Sequence, residues 1–502
     1  MTMARKSPRP KSQQPESRVI LVDLTRADWK PIDPRKRSVE VEQCIAFLSE
    51  RIRGQPKGIE AIADAYELYL SGEQDPRYPI CKFLFLGPSG TGKTQLVRTF
   101  ALFLFGDESA MTRIDCSEYV HRADVTRLLG SSPGYIRSDE IPILAQQRLD
   151  YPAWKALHEP RLRQLRSQQQ AVENARPKKE KDLKDAQRAL RQAATEAARR
   201  KLQNEVTQLA SELQRIESER QAIEQEISQL VFRPGTRRYP SIVLFDEIEK
   251  GDPQLQHMLL QIMDYARVTV SLPQPQTYEG GRKKSGSGAT NPGELQKRET
   301  TVFSHSFLFM TSNTGRKEIE SLLAGRGTLG FAAPAKDAGA KRGQAVYEEA
   351  MRAARKTFGP EFRRRLDSTI VFQPLSDAVL VQIADDLVYR QGAQLMERRG
   401  ILLIVTEGFK EYLVAEAKEH REEGASVMEH KLQSQMVKPI NRMARSGEIR
   451  KGDVVLILMK DEDGKAHVAY VADERTRRAF ARAEQSGAGT VEIRIKPEAE
   501  TE

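Results

Sequence analysis

The stretch that decides the fold is "CKFLFLGPSGTGKTQLVRTFALFLFG", residues 81–106. An apolar run of strand length leads into a glycine-rich loop, which is followed by a helical pattern. The loop has the spacing G-x-x-x-x-G-K-[ST] from Gly87 to Thr94. Glycines let successive backbone N–H groups turn toward phosphate oxygens, and the N-terminus of the next helix adds its positive end. The sequence therefore predicts a nucleotide-phosphate site in a strand–loop–helix unit.

Each residue of this loop is a candidate nucleotide ligand: Gly87, Pro88, Ser89, Gly90, Thr91, Gly92, Lys93 and Thr94. The Lys93 ammonium is expected to reach the β- and γ-phosphates of ATP, and the Thr94 hydroxyl is expected to ligate Mg²⁺. ATP and Mg²⁺ are therefore the predicted cofactors.

Two further apolar runs end in polar residues that suit ATP hydrolysis. "PSIVLFDEIEK" (240–250) ends its strand in Asp246 and Glu247. Asp246 is expected to bind Mg²⁺, partly through water, and Glu247 is expected to activate water beside the γ-phosphate. "SFLFMTSN" (306–313) ends in Asn313, which is expected to orient the attacking water. Paired with the phosphate loop, these residues predict a hydrolytic site.

The arrangement of short apolar runs predicts an α/β fold. With "TRIDC" (112–116) and "STIVFQPL" (368–375), five such runs alternate with helical stretches, the pattern of a five-stranded parallel sheet with flanking helices. Ligands of such sheets bind at the carboxyl ends of the strands. Gly87, Asp246 and Asn313 all fall there.

Composition limits the class of protein. The 502 residues suit more than one domain, and no apolar run approaches the ~20 residues of a membrane span. The three cysteines lack CxxC spacing, and the basic start lacks an apolar signal segment, so a cytoplasmic protein is predicted. The net charge of +10 raises nucleic acid as a partner. However, the basic stretches carry no interleaved aromatics, so a nucleic-acid motor is kept only as an alternative.

Several linked motifs resemble one family. "RIRGQPKGIEAIADA", "RLLGSSPGYI" and "FGPEFRRRLDSTIVFQPLS", in this order around the nucleotide motifs, resemble the Clp-type AAA+ ATPases. The similarity is closest to the second ATPase module of ClpB, ClpA and ClpC and runs from about Ile52 to Leu458. The resemblance implies an ATP-dependent unfoldase that threads polypeptide through the pore of a ring, expected to be a hexamer.

The resemblance also assigns roles to single residues. Tyr135, in "SSPGYIR", corresponds to the family's pore-loop aromatic that grips substrate; packing onto its own domain is the alternative. Arg365 corresponds to the finger that completes a neighbouring subunit's active site. Arg364 replaces the usual asparagine, so either arginine is a candidate, and a solvated basic helix end is the alternative for 363–365. Arg137 replaces a usual glycine.

Two departures concern the lid and a possible peptidase partner. The family's small helical lid domain has a nucleotide-sensing arginine where this chain has Ser426, and His430 or Lys431 are candidate substitutes. Leu329, Gly330 and Phe331 resemble the tripeptide that docks a ClpP-like peptidase. They predict the ATPase subunit of a protease as an alternative function, and an apolar loop tucked onto its own domain is the other interpretation.

Residues 159–233 form an insertion with a helical repeat. Apolar residues follow steps of four and three at Leu202, Val206, Leu209, Leu213, Ile216, Ile223, Ile227 and Leu230, with Arg220 interrupting the series. This seam predicts an antiparallel coiled-coil hairpin, with a new helix starting at Pro177. A solvated rod of this kind suits an adaptor or other partner.

The predicted domain organisation has six parts. These are an N-terminal tail (1–40), a large AAA+ domain in two pieces (41–158 and 234–373, with a flexible loop at 271–300), the coiled coil (159–233), the lid (374–460) and a C-terminal extension (461–502).

Overall fold

The computed structural model describes residues 36–130, 140–233, 239–273, 278–279, 282–283, 296–323, 338–420, 424–459 and 466–471. The chain divides into two compact units, Met1–Ser38 and Val39–Glu502, and the second contains every element named below. Among the described residues, no helix is both long and apolar enough to cross a bilayer.

Helices and strands alternate along most of the second unit. The helices are α1 (Val39–Arg51), α2 (Pro56–Ser71), α3 (Lys93–Phe105), α4 (Arg122–Leu129), α5 (Gln146–Gln192), α6 (Glu196–Leu230), α7 (Pro253–Tyr265), α8 (Arg316–Leu323), α9 (Ala338–Thr357), α10 (Pro360–Arg364), α11 (Asp377–Arg399), α12 (Glu407–Glu419), α13 (Ala425–Leu432) and α14 (Lys438–Ser446). The strands are β1 (Cys81–Leu86), β2 (Thr112–Asp115), β3 (Ser241–Asp246), β4 (Arg267–Pro273), β5 (Tyr278–Glu279), β6 (Arg282–Lys283), β7 (Gln296–Val302), β8 (Ser306–Ser312), β9 (Ser368–Val371), β10 (Leu402–Val405), β11 (Val454–Met459) and β12 (Ala466–Val471).

A five-stranded parallel sheet in the order β2-β3-β8-β1-β9 forms the centre of the large domain. The prediction of five parallel strands is confirmed. Every residue of β1, β3 and β8 is buried, because helices cover both faces of the sheet. This double cover explains why these strands are continuous apolar runs in the sequence, without alternation.

Alternate strand residues enter two separate cores. Leu84 and Val243 pack on one side of the sheet, while Phe85 and Phe309 pack on the other. The rings of Phe85 and Phe309 are 5.6 Å apart, and Phe85 also lies 5.1 Å from the ring of Phe372. Aromatic contacts of this kind fix the relative position of strands β1, β8 and the segment after β9.

The insertion is an antiparallel pair of helices, α5 and α6, as predicted. Ion pairs cross between them from Arg161 to Glu226 (2.8 Å) and from Lys179 to Glu212 (2.6 Å). One partner's number rises as the other's falls, which fixes the antiparallel direction. At 47 residues, α5 is roughly 70 Å long.

The predicted helix start at Pro177 is wrong. Pro177 lies inside the continuous helix α5, and the chain reverses at 193–195. A proline in a helix interior removes one hydrogen bond and crowds the preceding turn. Packing of α5 along the whole of α6 offsets that local cost.

The seam residues of α6 are mostly half-buried. Ile223 is buried, whereas the other predicted seam residues of α6 are only partly buried. Arg220 occupies the seam without disrupting it, because its guanidinium binds Glu217 (2.7 Å) and Glu224 (3.1 Å) on its own helix. Exposed pairs of this kind contribute little stability. These ion pairs therefore add little to the packing between α5 and α6.

An aromatic cluster anchors the base of the rod. Trp154 is 8% exposed, packs 5.1 Å from the ring of Phe232 and donates its indole N–H to the carbonyl of Leu230 (3.0 Å). Helix α5 already begins at Gln146, where the side chain contacts the backbone N–H of Val302. The predicted boundary at residue 159 therefore falls inside a helix that belongs partly to the large domain.

The lid contains a sheet that the sequence analysis did not predict. Helices α11–α14 form the expected helical domain, and β10, β11 and β12 pair beside them. Strand β12 lies beyond the predicted lid boundary at 460 and pairs antiparallel with β11. Part of the segment assigned to a C-terminal extension therefore belongs to the lid.

The segment 271–300 begins and ends in strands. Strand β4 continues to Pro273 and pairs with β7 from Gln296, so both ends of the predicted flexible loop form a hairpin. The alternation of β4, with Val268 and Val270 buried, explains the pairing. Most of the intervening residues lie outside the described ranges.

The base of the rod, and not its length, should support the ATPase fold. Deleting residues 170–218 and joining Gln169 to Glu219 through a short Gly-Asn-Gly linker removes the distal rod but keeps the aromatic cluster. We expect this variant to unfold thermally within a few degrees of wild type. Trp154→Ala should instead destabilise the chain by about 3–5 kcal/mol, since it removes a buried aromatic.

Denaturant unfolding, followed by circular dichroism, measures both effects, with Tyr389→Ala, at an exposed tyrosine of α11, as the control. A truncated protein that fails to fold would show that the distal rod is part of the folding unit.

Candidate functional site

Three glycines of the phosphate loop adopt backbone conformations that other residues avoid. Gly87, Gly90 and Gly92 have φ angles of +139°, +67° and +96°. A Cβ atom on Gly87 would lie 2.7 Å from the carbonyl oxygen of Phe372. The loop therefore requires glycine for its shape and, at Gly87, for close packing against the chain that leaves β9.

The Lys93 ammonium is buried at the centre of the site. It donates to the carbonyls of Gly87 and Pro88 (2.7 Å each) and to Oδ1 of Asn313 (2.8 Å). Burial lowers the pKa of Lys93 to about 8, although nearby carboxylates, Glu249 first among them, oppose this shift. The loop thus presents a desolvated cation that gains strongly from an approaching phosphate.

Asp246, at the end of β3, is held by three donors. Thr94 donates to its Oδ1 (3.1 Å), and Thr311 makes a very short hydrogen bond to the same oxygen. Arg113, on β2, donates to Oδ2 through Nη2 (2.6 Å) and Nε (3.0 Å). Asp246 is 5% exposed, so its carboxylate is fixed in one orientation.

Glu247 has a strained backbone. Its φ of +55° is unusual for a residue with a Cβ and costs on the order of 1–3 kcal/mol. The backbone N–H donates to Thr311, Oε1 accepts from Asn313 Nδ2 (2.7 Å), and Oε2 accepts from Lys250 Nζ (2.6 Å). The left-handed turn aims the Glu247 side chain away from Asp246 and toward Asn313.

Asn313 joins the phosphate-binding and carboxylate halves of the site. Its amide accepts from Lys93, donates to Glu247, and its backbone N–H donates to Glu249 (2.9 Å). The structure therefore brings together the predicted residues Lys93, Thr94, Asp246, Glu247 and Asn313, all at the carboxyl ends of neighbouring strands.

These residues line a cavity of about 570 Å³ between the large domain and the lid. Its apolar lining includes Ile52, Leu375, Ile383 and Leu387, whereas the lining at the end of β3 is acidic, with Asp246 and Glu247. One part of the cavity therefore suits phosphates and another suits the flat face of a nucleobase.

The lid contributes no arginine from α13. Ser426 and Glu429 line the cavity there. Lys431, a candidate substitute, donates to Glu416 (2.9 Å) inside the lid, and His430 does not line the cavity. Neither candidate substitute is therefore among the residues that line the cavity.

Arg365 lies outside its own subunit's cavity. Its Nε donates to both oxygens of Asp264 (2.6 and 2.7 Å), and Nη1 donates to the carbonyl of Glu361 (3.0 Å). Neighbouring Arg364 is exposed. The two candidate finger residues thus differ, since Arg365 is oriented by a carboxylate at the end of α7.

Tyr135 and Arg137, and the tripeptide Leu329–Phe331, lie outside the described residues.

Sequence reasoning missed four residues that shape the site: Arg113, Thr311, Lys250 and Gln55. Arg113 and Thr311 sit on strands beside β3, so their approach to Asp246 depends on strand order. Lys250 follows Glu247 by three residues in a helical turn, a spacing from which the contact could have been predicted.

Two family profiles match most of the chain. The profile described as "AAA domain (Cdc48 subfamily)" matches residues 78–152 and 167–369. The chain belongs to the AAA family. The profile of the C-terminal D2-small domain of ClpB matches residues 375–457. The protein is a Clp-type AAA+ ATPase, and the resemblance inferred from its motifs is confirmed.

Similar proteins are chaperones and protease subunits of the Clp group. The chaperone protein ClpB of Bacteroides thetaiotaomicron is 27% identical over 82% of this chain and 33% of that protein. A homologue of the Clp protease ATP-binding subunit ClpA from Guillardia theta is 28% identical over 86% of this chain and 38% of that protein. The chain thus spans roughly a third of the length of these relatives.

Solved structures share the fold. Saccharomyces cerevisiae Hsp104 with casein, in an extended conformation, has a TM-score of 0.52 at 22% identity, covering 86% of this chain and 52% of that chain. A closed state of Hsp104 with ATPγS and FITC-casein has a TM-score of 0.50, with the same sequence identity and coverage.

The depressed pKa of Lys93 makes nucleotide binding depend on pH. Phosphate beside the ammonium raises the Lys93 pKa above the value of about 8 in the free site, so binding takes up a proton above pH 8. The affinity for a non-hydrolysable ATP analogue should therefore fall as pH rises from 8, by up to about tenfold per unit.

Calorimetry at pH 8.5 in two buffers of different ionisation enthalpy measures the proton uptake directly. Equal binding heats in both buffers would contradict the assignment.

Proposed function

We propose that the cavity binds ATP·Mg²⁺ and that Glu247 activates the attacking water. The observation that carries this is the hydrogen-bonded chain from Lys93 through Asn313 to Glu247, which ties the phosphate-binding cation to the base. ATP at the loop draws the Lys93 ammonium toward its phosphates. Asn313 is then free to hold water in line with the γ-phosphate, next to the Glu247 carboxylate.

The donor set fits Mg²⁺. Thr94 Oγ1 and Asp246 Oδ1 lie 3.1 Å apart, so a hydroxyl and a carboxylate face the same point beside the phosphate loop. Mg²⁺ is usually held by one or two such oxygens together with phosphates and waters. When bound, the ion neutralises charge on the β- and γ-phosphates. Arg113 would retain the second oxygen of Asp246 and keep the carboxylate oriented.

Arg365 is proposed to act on the nucleotide of a neighbouring subunit. Its separation from its own cavity supports an active site shared between subunits, and Asp264 fixes Nε while Nη2 stays available to a phosphate. Arg364 is proposed as a second cation on the same surface. Shared sites require a ring, for which we propose six subunits.

The shared-site proposal predicts that Arg365→Ala protein inhibits the ATPase activity of wild-type protein when the two are mixed. Mixed rings should lose activity faster than the wild-type fraction falls, because each altered subunit disables its neighbour's site. ATPase assays across a mixing series measure this, with Arg363→Ala as the control variant. Activity that falls in strict proportion to dilution would speak against action in trans.

The ring is proposed to unfold or remodel protein by pulling polypeptide through its centre. Membership of the Clp-type AAA+ family and similarity to ClpB support this function. Tyr135 is the proposed grip, since an aromatic face contacts any sequence through apolar surface. A cytoplasmic location is proposed on the same basis.

The rod is the proposed surface for an adaptor or other partner. Residues 178–201, at its tip, contain nine lysines and arginines and four carboxylates. This excess of positive charge favours an acidic partner surface. A ClpP-like peptidase bound through Leu329–Phe331 is a second proposed partner, favoured by the ClpA homologue among the relatives.

Two variants separate ATP hydrolysis from contact with the polypeptide substrate. Tyr135→Ala should keep basal ATPase activity within about twofold and stop unfolding of a tagged fluorescent reporter. Glu247→Gln should keep ATP binding and lose hydrolysis by about 10²–10⁴-fold, with unfolding lost as well.

Tyr389→Ala, at an exposed tyrosine of lid helix α11, is the control for the first variant. Unfolding at the wild-type rate by Tyr135→Ala would remove Tyr135 from substrate contact. Stimulation of the ATPase by nucleic acid instead of unfolded protein would favour the alternative motor.

A further inference from the structure

The three residues before α2 contact both the lid and the phosphate loop. Arg53 donates to Asp386 on lid helix α11, from Nε to Oδ2 (2.8 Å) and from Nη2 to Oδ1 (3.3 Å). The two-point geometry matches a guanidinium fork to a carboxylate, and each side chain is about 30% exposed. A single side chain of the large domain is thus joined to the lid by a directional ion pair.

Gln55 is buried and connects three backbone segments. Its Nε2 donates to the carbonyl of Thr91 in the phosphate loop (3.1 Å) and to the carbonyl of Gln373 (2.9 Å). Its Oε1 accepts from the backbone N–H of Gln373 (3.1 Å). Gln373 lies between β9 and the lid, so one amide fixes the phosphate loop to the connection that leads into the lid.

Gly54, between these residues, allows the lid helix to come close. Its φ is +76°, and a Cβ there would lie 3.3 Å from the side chain of Val379 on α11. Arg53, Gly54 and Gln55 therefore form one continuous link, which we call the 53–55 link, from α11 to Thr91.

The lid lacks a charged contact to phosphate from α13, where the cavity is lined by Ser426 and Glu429. A hydroxyl supplies no charge, and a carboxylate repels phosphate. Helix α13 still touches the phosphate loop through its backbone, since the N–H of Ala425 donates to the carbonyl of Gly90 (3.3 Å). That contact involves no phosphate oxygen.

We propose that the 53–55 link positions the lid over the nucleotide, with the Arg53–Asp386 pair holding it closed whether or not nucleotide is bound. Arg53 and Asp386 line the cavity together with its apolar residues, so the pair stands where the nucleobase is expected. Gln55 transmits the position of the phosphate loop to the lid connection. The link thus takes over the positioning that a phosphate-sensing lid arginine would provide.

The lid position can be measured by energy transfer between dyes on cysteines introduced at exposed Glu60 of α2 and Glu397 of α11. The three native cysteines are buried, and burial raises the pKa of Cys44 to about 12, so these thiols react slowly with the dyes. The parent protein should give one narrow distribution of dye-to-dye distances, and this distribution should change little when a non-hydrolysable ATP analogue is added.

Asp386→Asn should broaden the distribution toward longer distances without nucleotide and weaken analogue binding roughly three- to tenfold. Asp385→Asn is the matched control, because Asp385 pairs with Lys410 inside the lid (2.8 Å) and does not contact the large domain. The exchange Arg53→Asp with Asp386→Arg should narrow the distribution again.

Gln55→Glu tests the other half of the link. Its carboxylate would face the carbonyls of Thr91 and Gln373, so analogue binding should weaken while the ion pair keeps the lid closed without nucleotide.

The proposal would be overturned if Asp386→Asn left the distribution of dye-to-dye distances unchanged. It would also be overturned if Asp385→Asn changed that distribution equally. Neither measurement depends on hydrolysis or on unfolding activity. A failure of the proposed threading function would therefore leave this result interpretable.

Discussion

The buried ammonium of Lys93 is the interaction on which the site depends. A charge in this position is costly unless its hydrogen bonds are satisfied, and two loop carbonyls together with Asn313 satisfy them. The loop can supply these carbonyls because its glycines accept left-handed conformations. Asn313 can reach the ammonium because β8 lies beside β1 in the sheet. Strand order, loop geometry and the charge of the site are therefore parts of one constraint.

The large domain was predictable because its determinants are local. Strands buried on both faces must be apolar throughout, and a phosphate loop must carry glycine at fixed positions, so β1, β3 and β8 and their terminal residues are visible in the sequence. The partners of Asp246 were not visible in this way. Arg113 and Thr311 reach it across neighbouring strands, and nothing in the sequence around them indicates that register.

The errors have the same physical origin. Pro177 carries a strong local signal for a helix start, but packing between two long helices outweighs it. Strand β12 pairs antiparallel with β11, and whether a short stretch such as 466–471 forms a strand depends on that pairing more than on its own pattern. Ser426 pointed to a weakened lid contact, yet the compensating residues are Arg53 and Asp386, which are 333 positions apart. Local chemistry predicted where a contact is missing, and only the fold shows what replaces it.

The positions of the two arginine–carboxylate pairs suggest that the pairs have different roles in the subunit. Arg53 and Asp386 join two domains of one chain beside its cavity, whereas Arg365 and Asp264 lie on a surface away from it. In the first pair both charges are satisfied within the chain, which suits a fixed lid. In the second, the carboxylate takes one edge of the guanidinium and leaves Nη2 for an external anion. If contacts within the chain fix the lid, then binding or hydrolysis of nucleotide must change contacts mainly at the boundary between subunits. Communication around a ring then depends on Arg365 more than on lid rotation, which is the arrangement expected of a subunit without a phosphate-sensing arginine on α13.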